Sequence, residues 1–322
     1  MCRISRRMTE PVWVVGASGL LGSAVRRLLA ENSVPVFHRS VTWDQPEVAA
    51  TQLVNSVRGY AQLTKNPVII WCAGAGIPSS PAAVFDAETL VFRAFLAALS
   101  DLPTGLLGRT RIFFASSGGG VYAGAENPPY DENSEPRPLA PYGFAKLARE
   151  HDLELFCHQT GARSISGRIS NLYGPGQDLR KTQGLISTLL MGFLTHTPTQ
   201  IYVSLDTVRD YLYVSDAAAL IVRSLDRLLT EPPGTAAVKV LSSGQGTTIG
   251  ALLSLTRQAI GRPPLIVQAA SPFANVQARD LSMRSIVWPE VDKRARVSML
   301  DGISRTYLEL LQLHCRPRKE AA

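Results

Sequence analysis

Short apolar runs alternate with amphipathic stretches along the first half of the chain. Continuous apolar runs predict strands buried on both faces of a parallel sheet, and apolar positions recurring every three or four residues predict helices that pack on it. The predicted strands are 12–15, 34–38, 41–43, 68–72, 111–115 and 163–169, and the predicted helices are 20–30, 46–63, 82–99 and 141–160. This alternation is typical of an α/β protein with a doubly wound parallel sheet.

The alternation weakens beyond Tyr173. Gly/Pro-rich pieces interrupt it at 174–176, 232–234 and 263–264. We expect late strands of the main sheet around 201–241, because 238–241 again has the apolar pattern of a buried strand. The predicted division is a basic tail over 1–10, an α/β domain over 11–172, a smaller C-terminal lobe interleaved with late strands over 173–313, and a basic tail over 314–322.

The composition places the chain among globular proteins. Its 322 residues are 45% hydrophobic and 18% charged, without low-complexity tracts, which excludes a disordered, collagen-like or coiled-coil protein. The longest apolar run, 68–77, is too short to span a bilayer, and residues 1–10 lack the apolar stretch of a signal peptide. The four cysteines form no CxxC pair, which favours reduced thiols. We expect a cytoplasmic protein with no membrane partner.

The net charge of +7 is concentrated at the two ends of the chain. Segments 1–10 and 316–320 each carry an excess of two positive charges, so the folded body is only mildly basic. An anionic small molecule suits such a body, and the sequence has no basic helix or stacking platform that would indicate a nucleic-acid partner. No cysteine or aspartate completes a metal-ligand set with His151 and His158, so we expect no metal site.

A glycine-rich loop, Gly-Ala-Ser-Gly-Leu-Leu-Gly over 16–22, joins the first predicted strand to the first predicted helix. Glycines there permit a tight turn and let the backbone approach a pyrophosphate, which then sits at the positive end of the helix. An ordinary strand-to-helix connection is the alternative, but the alternating units that follow favour a Rossmann-type domain that binds NAD(P). The expected cofactor contacts from this loop and from the end of strand 68–72 are Gly16, Ser18, Gly19, Leu20, Leu21, Gly22, Ala73 and Gly74.

The end of the second predicted strand carries His38, Arg39 and Ser40, and the next acidic residue is Asp44. Dinucleotide-binding proteins commonly use an acidic residue at this place to bind the 2′-hydroxyl of the adenosine ribose. An arginine beside a hydroxyl suits a 2′-phosphate instead. We therefore prefer NADP as cofactor, with NAD as the alternative and a solvated Arg39 as the plain interpretation.

Tyr142 and Lys146 form a YxxxK unit at the start of the predicted helix 141–160. Residues four apart share one helical face, so the ammonium can sit beneath the phenol and favour the phenolate. An unperturbed tyrosine pKa of about 10 is too high for a base at neutral pH, so a nearby cation is needed. A hydroxyl from Ser116-Ser117, at the preceding strand end, can share the proton of a substrate alcohol or carbonyl with Tyr142.

Five segments in this order resemble the extended short-chain dehydrogenases that act on nucleotide sugars, the epimerase/dehydratase group. They are the glycine loop, SSGGGVY over 116–122, YGFAK over 142–146, RISNLYGPGQ over 168–177 and VRDYLYVSD over 208–216. The resemblance covers nearly the whole chain and implies that the C-terminal lobe binds the substrate.

The resemblance also implies residue roles. Tyr142 is the acid/base, and Lys146 also holds the nicotinamide ribose. Asn171 contacts the sugar or its diphosphate, and Arg209 pairs with the diphosphate, a charge-assisted contact that guanidinium groups make well. The plain alternatives are a surface ion pair between Arg209 and Asp210, and a satisfied turn at Asn171.

The chain departs from the family pattern near these residues. Gly118 occupies the place of the hydroxyl partner used by the sugar 4-epimerases, so Ser117 is the expected substitute and Gly118 a substrate contact, with Ser116 as the alternative. Glu88 replaces an asparagine that is usual in the family. The segment 42–44 is a shortened form of the family's acidic segment. An altered cofactor site is the expectation.

The implied reaction is hydride transfer at a hexose carbon, most often C4, of a nucleoside-diphosphate sugar. An epimerase and an NADPH-dependent 4-ketoreductase share this site, and the sequence does not separate them. A non-catalytic dinucleotide-binding protein is the alternative. Family members often dimerise through the helix 141–160 and the helix before it. The apolar residues on helix 141–160 that permit such a homodimer, or burial within one subunit, are Leu147, Leu153, Leu155 and Phe156.

Overall fold

The computed structural model describes residues 8–178, 184–269, 278–293 and 296–315. Most of each predicted basic tail lies outside the described residues. The strands in chain order are β1 (Val12–Val15), β2 (Val36–Phe37), β3 (Val68–Trp71), β4 (Arg111–Ser117), β5 (Arg163–Ile169), β6 (Asn171–Tyr173), β7 (Thr199–Ile201), β8 (Val208–Tyr213), β9 (Ala236–Leu241), β10 (Gly246–Thr248), β11 (Ile266–Gln268) and β12 (Asp280–Leu281). The helices are α1 (Leu20–Glu31), α2 (Pro46–Ala61), α3 (Ala82–Ser100), α4 (Thr104–Leu107), α5 (Gly118–Val121), α6 (Pro141–Thr160), α7 (Leu185–Leu194), α8 (Val214–Arg227), α9 (Ile249–Ile260), α10 (Pro289–Asp292) and α11 (Met299–His314).

The main sheet has six strands in the order β2-β1-β3-β4-β5-β9. Every neighbouring pair is parallel. The chain leaves β1 toward β2 and then crosses to β3 on the other side, so the order reverses between β1 and β3. Ligands of open α/β sheets bind at the carboxyl ends of the strands at such a switch point. The Rossmann-type fold predicted from the sequence is confirmed.

Helices cover both faces of the sheet, and each face has its own apolar core. On one face α1 and α8 pack on the sheet through residues such as Val25 and Ile221. On the other face α2, α3 and α6 bury an aromatic cluster around Trp13, Trp71 and Phe95. Burial on both faces explains why the strands have continuous apolar runs.

The second lobe is built around β8. It pairs with β10 in antiparallel fashion and with β6 and β12 in parallel fashion, while β7 and β11 form a separate parallel pair. Helices α7, α9 and α11 pack on this lobe over a core that contains Tyr173, Tyr211 and Tyr213. Strand β9 returns the chain to the edge of the main sheet. The boundaries at 11–172 and 173–313 remain a prediction.

The strand predicted over 41–43 is wrong. Its backbone turns toward α2 instead, because Trp43 N donates to Val41 O and Thr42 N donates to Gln52 Oε1. Strand β2 is shorter than the predicted 34–38. In the part of the chain that the structure describes, no helix is both long and apolar enough to cross a membrane.

Candidate active site

A cleft of 1560 Å³ opens between the carboxyl ends of the main sheet and the second lobe. The sheet side contributes Ser18, Cys72 and Gly74, from the loops that follow β1 and β3. The opposite side includes Tyr202 and Arg209 of the second lobe. The cleft therefore coincides with the switch point of the sheet, where the topology predicts a ligand.

The loop between β1 and α1 has a shape that only glycine permits. Gly16 has φ +79°, and a Cβ there would lie 2.6 Å from Ala73 N. A Cβ on Gly22 would lie 2.2 Å from Gly16 O, so the start of α1 presses directly against the turn. Gly19, by contrast, would meet nothing closer than 3.6 Å. Close packing behind the loop and free space at Gly19 leave a cradle that faces the cleft.

The first turn of α1 provides the electrostatic part of this cradle. The N-cap residue, Gly19, has no side chain that could cap the helix, and the first turn contains no acidic residue. Ser18, Gly19, Leu20 and Leu21 line the cleft. A helix N-terminus with available N–H groups and a positive dipole end suits a phosphate group. The residues predicted to bind a dinucleotide pyrophosphate thus fit that group.

The structure places His38, Arg39 and Ser40 after β2, where all three are exposed. Arg39 lies over the Phe37 ring, with Cζ 5.2 Å from the ring centroid. None of the three is among the residues that line the cleft. Ala73 is buried behind the glycine turn, and Gly74 reaches the cleft wall.

Tyr142 and Lys146 lie on the first turns of α6, which begins with Pro141 and faces the cleft. Lys146 Nζ is 5.6 Å from the Tyr142 ring centroid and donates to Ala115 O at 2.8 Å. Ser117, at the end of β4, also lines the cleft, and its hydroxyl lowers the pKa of Tyr142. The structure thus brings together the three residues that the sequence assigned to catalysis.

The two candidate serines differ in their surroundings. Ser117 Oγ accepts from Gly120 N at 3.1 Å, capping α5, and contacts Tyr142. Ser116 Oγ, on the other face of β4, donates to buried Glu150 and is itself buried. Geometry therefore favours Ser117 as the partner of Tyr142.

Met283 packs against Gly118, the position where the sequence departs from the family's hydroxyl residue. A Cβ on Gly118 would lie 2.4 Å from Met283 Sδ. Met283 is itself buried and lies in a segment of the second lobe that bridges to Tyr130. The thioether therefore occupies the space that a hydroxyl-bearing residue at 118 would need.

Burial and the charge of Arg149 act against each other on the pKa of Tyr142 but in the same direction on the pKa of Lys146. Burial raises the pKa of Tyr142, while the Ser117 hydrogen bond and the charge of Arg149 lower it. Burial and then Arg149 lower the pKa of Lys146 to about 7, against the charges of Glu88, Glu150 and Cys72.

Sequence reasoning missed Arg149. It lies on α6 seven residues after Tyr142 and three after Lys146, and its Nη1 pairs with Glu88 Oε2 at 3.1 Å. Positions 142, 146 and 149 share one face of a helix, so their spacing in the sequence could have indicated that Arg149 lies near Tyr142 and Lys146. Its partner Glu88 is the residue that departs from the family pattern at that position.

Asn171 and Arg209, the residues predicted to contact a substrate, line the cleft together with Gly119 and Tyr211. Arg209 Nη1 donates to Val208 O at 2.7 Å and to Ala278 O at 2.9 Å, which fixes the guanidinium at the cleft wall. Tyr202 and Leu281 are lining residues of the lobe that the sequence did not indicate.

The alternative of a surface ion pair between Arg209 and Asp210 is wrong. Asp210 is 1% exposed, and its carboxylate accepts from Ser170 Oγ at 2.7 Å and from Ser243 N at 2.7 Å. Asp210 thus ties β8 to the ends of β5 and β9. Because successive residues of a strand face opposite sides, the side chain of the adjacent Arg209 faces the cleft.

Comparisons with known proteins agree with this architecture. The dTDP-4-dehydro-6-deoxyglucose reductase of Escherichia coli is 30% identical over 198 residues, which are 62% of this chain and 60% of that protein. The UDP-glucose 4-epimerase of Mycolicibacterium smegmatis is 26% identical over 227 residues, 66% of this chain and 72% of that protein.

The crystal structure of Thermus thermophilus UDP-glucose 4-epimerase in complex with NAD has the same fold. It superposes with a TM-score of 0.78 at 22% identity, over 94% of this chain and 99% of that chain. A family model described as the NAD dependent epimerase/dehydratase family matches residues 12–238. Since this match covers more than half of the sequence, the chain belongs to the NAD dependent epimerase/dehydratase family.

Proposed function

We propose that this protein is an NAD(P)-dependent enzyme that epimerises or reduces a nucleoside-diphosphate sugar, with hydride transfer at C4 of the hexose. The observation that carries the proposal is that Tyr142, Lys146 and Ser117 line one cleft between both lobes, with Lys146 Nζ 5.6 Å from the centroid of the Tyr142 ring. The similarity to a nucleotide-sugar reductase and to a 4-epimerase supports the substrate class.

The residues near the glycine loop would hold the cofactor. The first turn of α1 would bind its phosphates, and Lys146 would bind the nicotinamide ribose. When bound, the dinucleotide supplies the hydride acceptor and donor of the reaction.

Proton movement and substrate positioning would fall to the chain's own side chains. Tyr142 would exchange a proton with the substrate hydroxyl, and Ser117 would hold the same oxygen. Arg209 would pair with the substrate diphosphate from the opposite wall, while Asn171 would contact the sugar or its diphosphate.

The first experiment is turnover with two substrates, UDP-glucose and a 4-keto-6-deoxy nucleotide sugar with NADPH. Interconversion of UDP-glucose and UDP-galactose without net cofactor consumption would identify a 4-epimerase, whereas NADPH oxidation with the keto sugar would identify a ketoreductase. Tyr142→Phe should abolish either activity while leaving dinucleotide affinity within about threefold, because one hydroxyl is removed and the phosphate site is untouched.

Unchanged turnover in Tyr142→Phe would remove this tyrosine from the mechanism. Dinucleotide binding without any turnover of these substrates by the wild-type protein would favour the non-catalytic alternative.

For the cofactor we propose NADP over NAD. Arg39 and Ser40 follow β2, the strand end that faces the adenosine ribose in Rossmann-type domains, and both are exposed to a ligand there. Titration with NADPH and NADH should show the tighter complex with NADPH, and Arg39→Ala should remove most of that preference. Release of NAD from the denatured purified protein would contradict this proposal.

We also propose a homodimer formed through α3 and α6. Four large apolar side chains on these two helices are exposed, namely Val84, Leu90, Phe144 and Leu155. Leu153 and Phe156 are buried within the subunit and are not available for this contact. Sedimentation should give a dimer, and Phe144→Lys should shift it to a monomer; a monomeric wild-type protein would refute the proposal.

A further inference from the structure

A buried ion pair joins α3 to α6 close to the Tyr142–Lys146 pair. Arg149 has 1% of its side chain exposed, and Glu88 has 18%. Arg149 Nη1 lies 3.1 Å from Glu88 Oε2, and its Nε donates to Ala145 O at 3.1 Å. Among the described residues, buried Arg149 Nη2 has no hydrogen-bond partner. Burying a guanidinium with an incomplete set of partners is costly, so stability alone does not account for this residue.

The position of Arg149 places a second cation next to Lys146. Arg149 Cζ lies 5.8 Å and Lys146 Nζ 5.2 Å from the centroid of the same ring, that of Phe114. Arginine keeps its proton at all accessible pH values, whereas lysine yields its proton readily when buried. The permanent charge near Tyr142 is therefore that of Arg149.

Glu88 connects this charge to the wall of the cleft. Its Oε1 accepts from Ala75 N at 2.7 Å and from Gly76 N at 2.9 Å. These backbone groups follow Gly74, which lines the cleft after β3. One carboxylate thus holds both the guanidinium and the backbone beside the predicted cofactor site.

We propose that Arg149 and Glu88 are a positioning pair in which Arg149 supplies the fixed positive charge for Tyr142 and Lys146, and Glu88 orients it and holds the 74–76 segment. This inference deepens the proposed function and rests on it. Other charged or titratable groups facing Lys146 are Glu150 of α6, itself paired with Arg168 of β5, and Cys72 after β3.

The test is the titration of Tyr142, followed by the ultraviolet absorbance of tyrosinate in the dinucleotide-free protein. Subtracting the curve of the matching Tyr142→Phe protein isolates this residue from the other tyrosines. Arg149→Met should shift the titration to higher pH and Glu88→Gln to lower pH, because the first removes a positive charge and the second a negative one. Arg149→Lys should restore most of the wild-type curve.

A matched control is available on the same two helices. Arg93 of α3 pairs with Asp152 of α6 at 2.8 Å, and the Arg93 side chain is exposed. Arg93→Met removes the same chemical group from the same helix interface and should leave the Tyr142 titration unchanged. If Arg149→Met does not fold, Glu88→Gln and Arg149→Lys still decide the question.

Opposite shifts in Arg149→Met and Glu88→Gln, with no shift in Arg93→Met, are the expected result. Shifts in the same direction, no shift in either variant, or an equal shift in the control would overturn the proposal. The pH profile of kcat/KM should move in the same directions.

The part of the proposal in which Glu88 holds the 74–76 segment is tested separately, by dinucleotide affinity. Glu88→Ala loses the acceptor for Ala75 N and Gly76 N, whereas Glu88→Gln retains one, so dinucleotide affinity should fall severalfold in Glu88→Ala only. Equal affinity in both variants would overturn this half of the proposal. A wild-type protein that turns over no nucleotide sugar would refute the proposed function, while the tyrosinate titration and the affinity comparison would still decide the role of the pair.

Discussion

Replacing Lys146 with methionine should change how the free energy of unfolding depends on pH. Lys146 has 6% of its surface exposed, and burial together with the charge of Arg149 lowers its pKa from 10.5 to about 7. The gap of about 3.5 pH units corresponds to about 5 kcal/mol at about 1.4 kcal/mol per unit. This is the cost of keeping the ammonium charged in the folded protein.

The sign follows from proton binding. Between the folded pKa near 7 and the unfolded pKa near 10.5, the unfolded chain holds the proton and the folded protein has lost it. Unfolding then takes up a proton, so this lysine makes folding more favourable as pH rises through that window. The penalty of about 5 kcal/mol applies in full below the folded pKa, shrinks as pH rises through the window and is gone above the unfolded pKa.

The assay is urea denaturation of wild-type protein and Lys146→Met at several pH values. The free energy of unfolding of wild type minus that of Lys146→Met should rise by about 2.5 kcal/mol from about pH 6 to about pH 9. Tyr142 and Cys72, whose pKa values burial raises, are present in both proteins, so their own contributions to the pH dependence cancel in this difference.

The matched control is Lys65→Met, which removes an ammonium from an exposed turn after α2. Its difference from wild type should stay constant over the same pH range. A flat difference for Lys146→Met would show that the ammonium remains charged in the folded state and would refute the reasoning.

Two further substitutions test the loop and the interior. Gly22→Ala places a Cβ 2.2 Å from Gly16 O; it should cost about 1–3 kcal/mol in urea denaturation and weaken dinucleotide binding at least about tenfold, as titration would show. Undiminished binding would mean that α1 need not press against the turn. Arg168→Met removes the partner of Glu150, whose carboxylate lies 2.7 Å from Arg168 Nη2 in the interior, and should cost about 3–5 kcal/mol at neutral pH. A loss below about 1 kcal/mol would show that solvent reaches Glu150.

Much of the fold could be predicted from the sequence because it rests on local patterns. The runs at β1 and β3 are apolar at every position, and such runs are stable only when both faces of a strand are covered. Helix α6 spans the predicted residues 141–160, and its ends fit local preferences, since proline suits a first turn and Gly161 adopts the left-handed conformation after the last turn. Residues 41–43 do not form the expected strand, because the backbone N–H of Thr42 donates to the side chain of Gln52 in α2 instead of to a neighbouring strand.

In the candidate site, too, the features that depend on neighbouring residues could be predicted and those that depend on tertiary packing could not. The sequence by itself determined the glycine turn and the one-helix spacing of Tyr142 and Lys146, because both depend on residues close together in the chain. Only the tertiary structure decided that Ser117 rather than Ser116 lies beside Tyr142. Neighbouring residues of a strand face opposite sides, and the way α6 packs against β4 determines which of the two serines is near the tyrosine. Likewise the charge of Arg149 acts on this site only because α3 brings Glu88 beside it, and such long-range packing leaves no local pattern in the sequence.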